Sequence, residues 1–396
     1  MRTKCGSMLD FTSARYLGFR HPSRSLRPWS QLTTGKPAAL ETPSEVAIFA
    51  RRLADLQGCE CATFLPSTLH LFFDLFEVLR KQEVIFYIDA ATYPIVRAGA
   101  ERAAARGALL REIPHHDPIA AYRMIEADED AGLRPVIVAD GFCPICNRSI
   151  PLQGYLECVA PFNGWVVVDD TQAIGIWGHA PSPRDPYGRG GGGSLRLHAV
   201  QSPRVILGSS LAKGFGVPLA VLSGSASLIR CFEALSEMRV HASPPSIAAL
   251  RAAEHVLLAN QEYGDRQRRR LAGLVSRFRS NLHGLGLDRL GSLFPVQMPA
   301  LEGGMDPVRV QRTLLAAGVG DAVGRDGEVQ GAVLASTRPV GHSTYHSGPP
   351  LYLPYTSAIA CTISPSVQFA SAPSTSAGMT LVACRPVVVR RESAGV

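Results

Sequence analysis

Arg204-Val-Ile-Leu-Gly-Ser-Ser-Leu-Ala-Lys-Gly-Phe-Gly216 runs from an apolar stretch into a turn of small residues that carries one lysine. The apolar part, Arg204 to Ser210, predicts a buried strand, and Leu211 to Gly216 the turn that leaves it. The chain supplies its 40 basic side chains almost wholly as arginine; its lysines are Lys4, Lys36, Lys81 and Lys213. A lysine can lose its proton when desolvated and act as an amine nucleophile or base, which a guanidinium cannot. A scarce lysine just past a strand end therefore predicts an imine-forming residue rather than a solvated loop charge.

With 396 residues, 46% of them hydrophobic and 18% charged, the chain can bury a large core. One large domain plus a smaller one is the expectation at this length. No run of about 18 apolar residues predicts a membrane span, and Met1-Arg-Thr-Lys-Cys-Gly6 has no apolar leader core. A cytoplasmic location is expected. The net charge of +7 is dispersed. Its dense run, Arg266-Gln-Arg-Arg-Arg270, falls in an amphipathic pattern from Ile247 to about Leu285 and reads as a solvated helix face rather than a nucleic-acid patch. The nine cysteines are irregularly spaced. Cys143-Pro-Ile-Cys146 lacks a second pair of suitable spacing, since Cys59-x-Cys61 is too close, so no metal site is expected.

Outward from Lys213, apolar runs alternate with helical patterns. Val84–Ile88 ends at Asp89, Pro135–Ala139 at Asp140, Trp165–Val168 at Asp169-Asp170, and Leu219–Leu222 at Ser223. Unbroken Val/Ile-rich strands separated by helices predict an α/β fold with a mostly parallel sheet covered on both faces. Ligands then sit beyond the carboxyl ends of the strands, where Asp89, Asp140, Asp169 and Lys213 fall. Thr42-Pro-Ser-Glu45 has capping-box spacing and opens a helix to about Leu56. Ser67-Thr68 opens another, and 95–105 and 120–131 read as two more. The glycine run 190–193 lacks the Gly-Lys-Ser/Thr ending of a nucleotide-binding P-loop. After about Gly324 the composition turns to Ser, Pro, Thr and Ala and helical periodicity fades.

Pyridoxal phosphate needs a lysine, a carboxylate at its ring nitrogen, a wall for its ring face and donors around its phosphate. The chain offers Lys213 for the first and Asp169 or Asp170 for the second, strand alternation allowing only one of them to face the ligand. Tyr93 offers a wall. Ser67, Thr68 and the helix they open offer phosphate donors, with Ser210 as a further one. Taken singly, each has a plainer reading, as a helix cap or a core edge.

The same stretches resemble the α-oxoamine synthase family of fold-type I pyridoxal phosphate enzymes. Leu9-Asp-Phe-Thr-Ser-Ala-Arg-Tyr-Leu-Gly18 is similar to the family's N-F-S-S-N-D-Y-L-G, and Trp165-Val-Val-Val-Asp-Asp-Thr-Gln-Ala-Ile-Gly175 to W-L-x-V-D-D-A-H-G-x-G. Ser209-Ser-Leu-Ala-Lys-Gly-Phe-Gly216 resembles T-F-x-K-G-F-G, and the segment from Asp140 to Leu152 resembles E-G-V-F-S-M-D-G-D-x-A-P-L. The likeness covers about residues 9 to 320. It implies Asp169 at the ring nitrogen, Lys213 as the imine lysine, Thr68 and Leu69 beside the phosphate, and Ser210 as another cofactor contact. Tyr93 and Gln172 stand where the family has histidines, and Pro144 where it has a serine. The family's carboxylate-holding R-L-R is missing, Arg338-Pro339 being a poor substitute. The implied layout is an arm (1–40), a large cofactor-binding domain (41–285) and a small domain (286–396) that diverges and is partly disordered after about 324. The implied activity is a homodimeric acyltransferase joining an amino acid to an acyl-CoA. Two rival readings are another fold-type I activity, such as an aminotransferase or an aldol-type lyase, and an idle homologue that binds a partner.

Overall fold

The computed structural model describes residues 13–25, 31–42, 45–284 and 292–297, together with 9–10, 312–313, 316, 319–320 and 361–362. Its centre is a seven-stranded sheet. We label the strands β1 (Cys61–Leu65), β2 (Val84–Asp89), β3 (Leu109–Ile113), β4 (Arg134–Asp140), β5 (Trp165–Asp169), β6 (Val205–Ser210) and β7 (Ala220–Gly224). They lie in the order β1-β7-β6-β5-β4-β2-β3. β6, β5, β4, β2 and β3 run parallel, whereas β7 is antiparallel to both β6 and β1. The expected strand at Leu219–Leu222 is present as β7, but it reverses direction. The carboxyl ends of β2, β4, β5 and β6 therefore meet at one edge, carrying Asp89, Asp140, Asp169 and Ser210.

Alternation explains why the strands are unbroken apolar runs. Phe86, Ile88, Val136, Val138, Val167 and Ile206 pack on one face against Leu71, Phe72, Leu75 and Phe76 of α2 (Thr68–Arg80) and Val96 of α3 (Pro94–Ala105). Ile85, Tyr87, Ile137, Ala139, Val166 and Val168 face Ala121 and Ile125 of α4 (Pro118–Ala127) and Tyr155 and Val159 of α5 (Leu152–Val159). With both faces covered, each of these Val, Leu, Ile and Phe side chains contributes roughly 1.5–3 kcal/mol by leaving water. The Ser67–Thr68 start, the 95–105 helix and the helix after Thr42, α1 (Glu45–Gln57), all form close to where the sequence places them. The 120–131 pattern splits into α4 and a 3-10 turn at Glu129–Ala131. Among the described residues no helix is long and apolar enough to cross a membrane.

The pattern from Ile247 to Leu285 divides into helices Ile247–Ala259 and Asp265–Gly284 around a π turn at Asn260–Gly264. The arginine run is not wholly a solvated face. Arg268 is 2% exposed and donates to Asp265 Oδ1 at 2.6 Å, Asn260 Oδ1 at 2.8 Å and the Gly175 carbonyl at 2.9 Å. One turn of helix thus turns a nominally surface arginine inward to satisfy the carbonyl that ends the Asp169–Gly175 motif. Arg268→Ala takes the donor from the Asn260 Oδ1 and Gly175 carbonyl acceptors, while Asp265 Oδ1 keeps the Gly190 amide at 2.9 Å, and is expected to cost about 2–4 kcal/mol, read as a lowered urea midpoint with Arg269→Ala as a near-neutral control.

The segment after Gly324, with Arg338-Pro339 and the 371–377 tail, lies outside the described residues, apart from Cys361–Thr362, which pairs antiparallel with Val296–Gln297. Leu9–Asp10 pairs parallel with Val319–Gly320.

Candidate active site

Lys213 stands in the turn between β6 and β7. The turn is closed by the Leu211 amide to the Leu219 carbonyl (2.8 Å) and by the Phe215 and Val217 amides to the Leu211 carbonyl. Gly214 has no room for a side chain: a Cβ there would lie 2.4 Å from the Ile174 carbonyl oxygen. That close approach presses the lysine turn onto the end of the Asp169–Gly175 motif, so two segments some 40 residues apart share one edge.

The Lys213 amine lies 5.8 Å from the centroid of the Tyr93 ring. Burial pushes its pKa down, opposed by the charges of Asp169 and Asp140. Those two carboxylates are register partners on adjacent parallel strands, and both are held above the usual carboxylate range. For Asp140 the causes are desolvation and then the charge of Asp169; for Asp169 the cause is desolvation. Asp169 accepts from the Thr171 amide at 3.0 Å, and Asp140 from the Tyr93 amide at 3.2 Å. The site therefore holds one amine, the buried Asp169 carboxylate and the half-buried Asp140 carboxylate, a setting suited to a ligand that brings its own positive charge.

Asp170 faces the other way, as strand alternation requires. Its side chain is buried and accepts from the Ser194 amide at 3.1 and 3.2 Å and from the Ser194 hydroxyl. Of the two aspartates only Asp169 faces Lys213. Desolvation pushes the Asp170 pKa up to about 7. A carboxyl raised on folding binds protons in the native state that the unfolded state releases. Its contribution to stability is present below about pH 4 and is lost as pH rises towards about 7. Asp170→Asn is expected to flatten that part of the stability–pH profile, measured by urea midpoints across pH 4–8.

The remaining predicted residues fall around this centre in different ways. Ser67 caps α2: its hydroxyl contacts His70 Nδ1 at 2.8 Å and lies 3.5 Å from the His70 amide. The Thr68 and Leu69 amides are the first two of the helix and have no hydrogen-bond partner among the described residues. The Leu69 side chain is exposed, so only its backbone can serve. A groove lined by Pro66, His70, Pro218 and Ala249 borders this helix start. Tyr93 is 50% exposed. The Ser210 amide donates to Thr171 Oγ1 at 2.9 Å and its hydroxyl accepts from the Ala212 amide at 3.3 Å, which leaves the hydroxyl proton free to donate. Gln172 Oε1 accepts from the buried Tyr16 hydroxyl, which leaves its amide N–H groups as donors.

Asp89 does not join the site. Its carboxylate is buried on contacts with His115 Nδ1 (2.7 Å), the His116 amide (2.9 Å) and the Tyr155 hydroxyl (3.1 Å). Sequence reasoning missed Tyr16, although Arg15-Tyr-Leu-Gly18 is one of the quoted motifs. It also missed Thr171, whose hydroxyl links the Asp169 segment to β6. A small residue between the aspartate pair and Gln172 was the available hint.

No family model matches the chain. In sequence it is similar to an 8-amino-7-oxononanoate synthase of Dechloromonas aromatica, 30% identical over 222 residues, covering 56% of this chain and 54% of that protein. A namesake from Alcanivorax borkumensis is 27% identical over 212 residues, covering 54% and 52%. The chain spans about half the length of the curated relatives it matches. Among solved structures, serine palmitoyltransferase from Sphingomonas wittichii superposes with a TM-score of 0.71 at 14% identity, covering 91% of this chain and 83% of that one. An 8-amino-7-oxononanoate synthase from Francisella tularensis gives 0.63 at 15% identity, covering 91% and 93%. A serine palmitoyltransferase from S. paucimobilis with a bound PLP–myriocin aldimine gives 0.72 at 13% identity, covering 91% and 83%. By fold over nine-tenths of its length, and by sequence over about half, the chain is similar to the α-oxoamine synthases, and its architecture is that of the fold-type I pyridoxal phosphate enzymes.

Proposed function

We propose that the chain is a pyridoxal-phosphate-dependent acyltransferase that joins an amino acid to an acyl-CoA, giving an α-amino ketone with release of coenzyme A and of the amino acid's carboxylate as carbon dioxide. The observation that carries this is the desolvated Lys213 amine beside the Tyr93 ring, with the buried Asp169 and half-buried Asp140 carboxylates next to it. The cofactor fits the donor set. Lys213 is its covalent anchor, and Asp169 pairs with its ring nitrogen, whose proton offsets the buried negative charge. Tyr93 covers one ring face. The Thr68 and Leu69 amides, the α2 dipole and the Ser67 and Ser210 hydroxyls hold its phosphate. Gln172, whose Oε1 accepts from Tyr16, would offer an amide N–H to the cofactor and, unlike a histidine, could not relay a proton.

When bound, pyridoxal phosphate supplies an electron sink for charge developing at the α-carbon of an amino acid. Everything else is the chain's own. Lys213 takes the α-proton and returns one, a role its depressed pKa favours because more of the neutral amine is present near pH 7. Asp169 keeps the ring nitrogen protonated. The new carbon–carbon bond forms between the α-carbon and the thioester carbonyl as the coenzyme A thiolate leaves, and the amino acid's carboxylate then departs as carbon dioxide, its bonding electrons being taken up by a proton at the α-carbon. We place the arm at 1–40, the cofactor domain at 41–285 and a small domain at 286–396, assembled as a cytoplasmic homodimer.

The test is release of coenzyme A thiol from a panel of acyl-CoAs, with each amino acid in turn and pyridoxal phosphate present. Thiol release that depends on an amino acid supports the proposal. Amino-acid turnover without thiol release overturns it in favour of an aminotransferase or aldol-type lyase. Inactivity with every pair leaves the idle homologue standing.

A further inference from the structure

Away from Lys213, the Cys143-Pro-Ile-Cys146 turn meets a histidine pair that the cysteine spacing gave no reason to expect. His115 and His116 follow the end of β3, and Cys146 sits in the tight turn between the short strands Phe142–Cys143 and Arg148–Ser149. The His115 Nε2 atom lies 3.1 Å from Cys146 Sγ, and His116 Nδ1 lies 3.8 Å from it. One ligand atom from each of the three residues falls within 4.8 Å of the others. Consecutive residues in extended backbone point to opposite sides. Here His116 has φ +53°, which turns its ring back to stack on His115 with centroids 3.8 Å apart. Histidine tolerates that left-handed conformation better than most side chains, but it remains uncommon.

We propose that His115, His116 and Cys146 form a binding site for a thiophilic divalent cation of the zinc type. The spacing fits: tetrahedral ligands at zinc distances of about 2.0–2.3 Å sit roughly 3.6 Å apart, and the two sulfur–nitrogen separations bracket that value. Two imidazoles and a thiolate are the ligand types zinc selects. The outer contact fits as well. Asp89 Oδ1 lies 2.7 Å from His115 Nδ1, a contact that would hold the ring proton on Nδ1 and leave Nε2 to ligate the cation. Asp89 is itself fixed by the His116 and Ala91 amides at 2.9 Å and by the Tyr155 hydroxyl at 3.1 Å. A thiolate–imidazolium pair needs one histidine; this geometry brings two to one sulfur. Cys143 is buried and lies outside the three-atom cluster.

Binding requires a Cys146 thiolate and neutral imidazoles, so it releases the proton that this cluster holds when metal-free. The bound ion ties the end of β3 to the 143–147 turn. Asn147 in that turn holds Ser292 and the Val296 carbonyl at 2.8–2.9 Å. The inference does not depend on the cofactor reading, because none of its residues contacts Lys213 or Asp169 in the hydrogen bonds described.

The experiment uses the full-length protein, reduced and stripped of metal, titrated with Co²⁺ and then Zn²⁺. One equivalent of Co²⁺ is expected to give a sulfur-to-cobalt charge-transfer band that Zn²⁺ displaces. The band should vanish in Cys146→Ser, need at least about tenfold more Co²⁺ in His115→Ala, and persist in Cys231→Ser. Absence of the band, or its survival in Cys146→Ser, overturns the proposal. If the variants do not fold, X-ray absorption on zinc-loaded wild type decides: a shell containing sulfur and nitrogen supports the site, and an oxygen-only shell rejects it. Loss of the free Cys143 and Cys146 thiols to a disulfide, with no metal uptake by the reduced protein, also rejects it.

Discussion

Lys213→Ala is expected to abolish the visible absorbance that pyridoxal phosphate gains on binding and to lower turnover by at least about 10³-fold. The effect should be chemical rather than structural. Lys213 lies in a turn whose closure uses the backbone of Leu211, Phe215, Val217 and Leu219, so the variant's melting temperature should stay near that of wild type. Lys213→Arg sharpens the point. It keeps the positive charge between Asp169 and Asp140 but has no amine able to attack or to lose a proton near pH 7, so it should fail like the alanine variant. Recovery of more than a tenth of activity in Lys213→Arg would mean that the residue serves only as a countercharge.

Asp169→Asn is the second large effect. An amide has no negative charge to keep a ring nitrogen protonated. Turnover is expected to fall by about 10²–10³-fold while the cofactor still binds. Asp169→Glu should recover part of the loss, since it restores the charge at a displaced position. Asp170→Asn is the internal control: its side chain points to Ser194, so turnover should change little while the pH dependence of stability changes. Steady-state kinetics on the three variants, each beside a visible spectrum, separate an electronic role for Asp169 from a packing role. Equal losses in Asp169→Asn and Asp170→Asn would contradict the assignment.

Strands buried on both faces were the most legible part of the fold. β2, β4, β5 and β6 are unbroken Val/Ile-rich runs because α2 and α3 cover one face and α4 and α5 the other. β3 was not legible, since Leu109–Ile113 is an edge strand with mostly exposed or half-exposed side chains and carries Arg111 and Glu112. β1 likewise borders only β7, and its five residues give too short a pattern to separate strand from loop. The sheet order, and the reversal of β7, depend on long-range pairing that no local pattern encodes.

The candidate site divides in the same way. Asp169-Asp170 could be narrowed to one ligand-facing carboxylate by alternation alone, yet which one depends on strand phase relative to Ser194. Arg268 was misread because a run of arginines resembles a solvated face until Asn260, Asp265 and the Gly175 carbonyl are brought under it. Gln172 was assigned by position, but its partner Tyr16 lies 156 residues away. The His115–His116–Cys146 cluster was invisible for a related reason: its histidines precede the cysteine by about 30 residues, and the single positive φ at His116 creates the convergence.

With lysines only at positions 4, 36, 81 and 213, borohydride reduction of the protein saturated with pyridoxal phosphate, followed by peptide mass spectrometry, reads out the anchor directly. Stoichiometric cofactor mass on the peptide containing Lys213, and on no other, is the result expected. Label on Lys36 or Lys81, or none at all, would contradict the account.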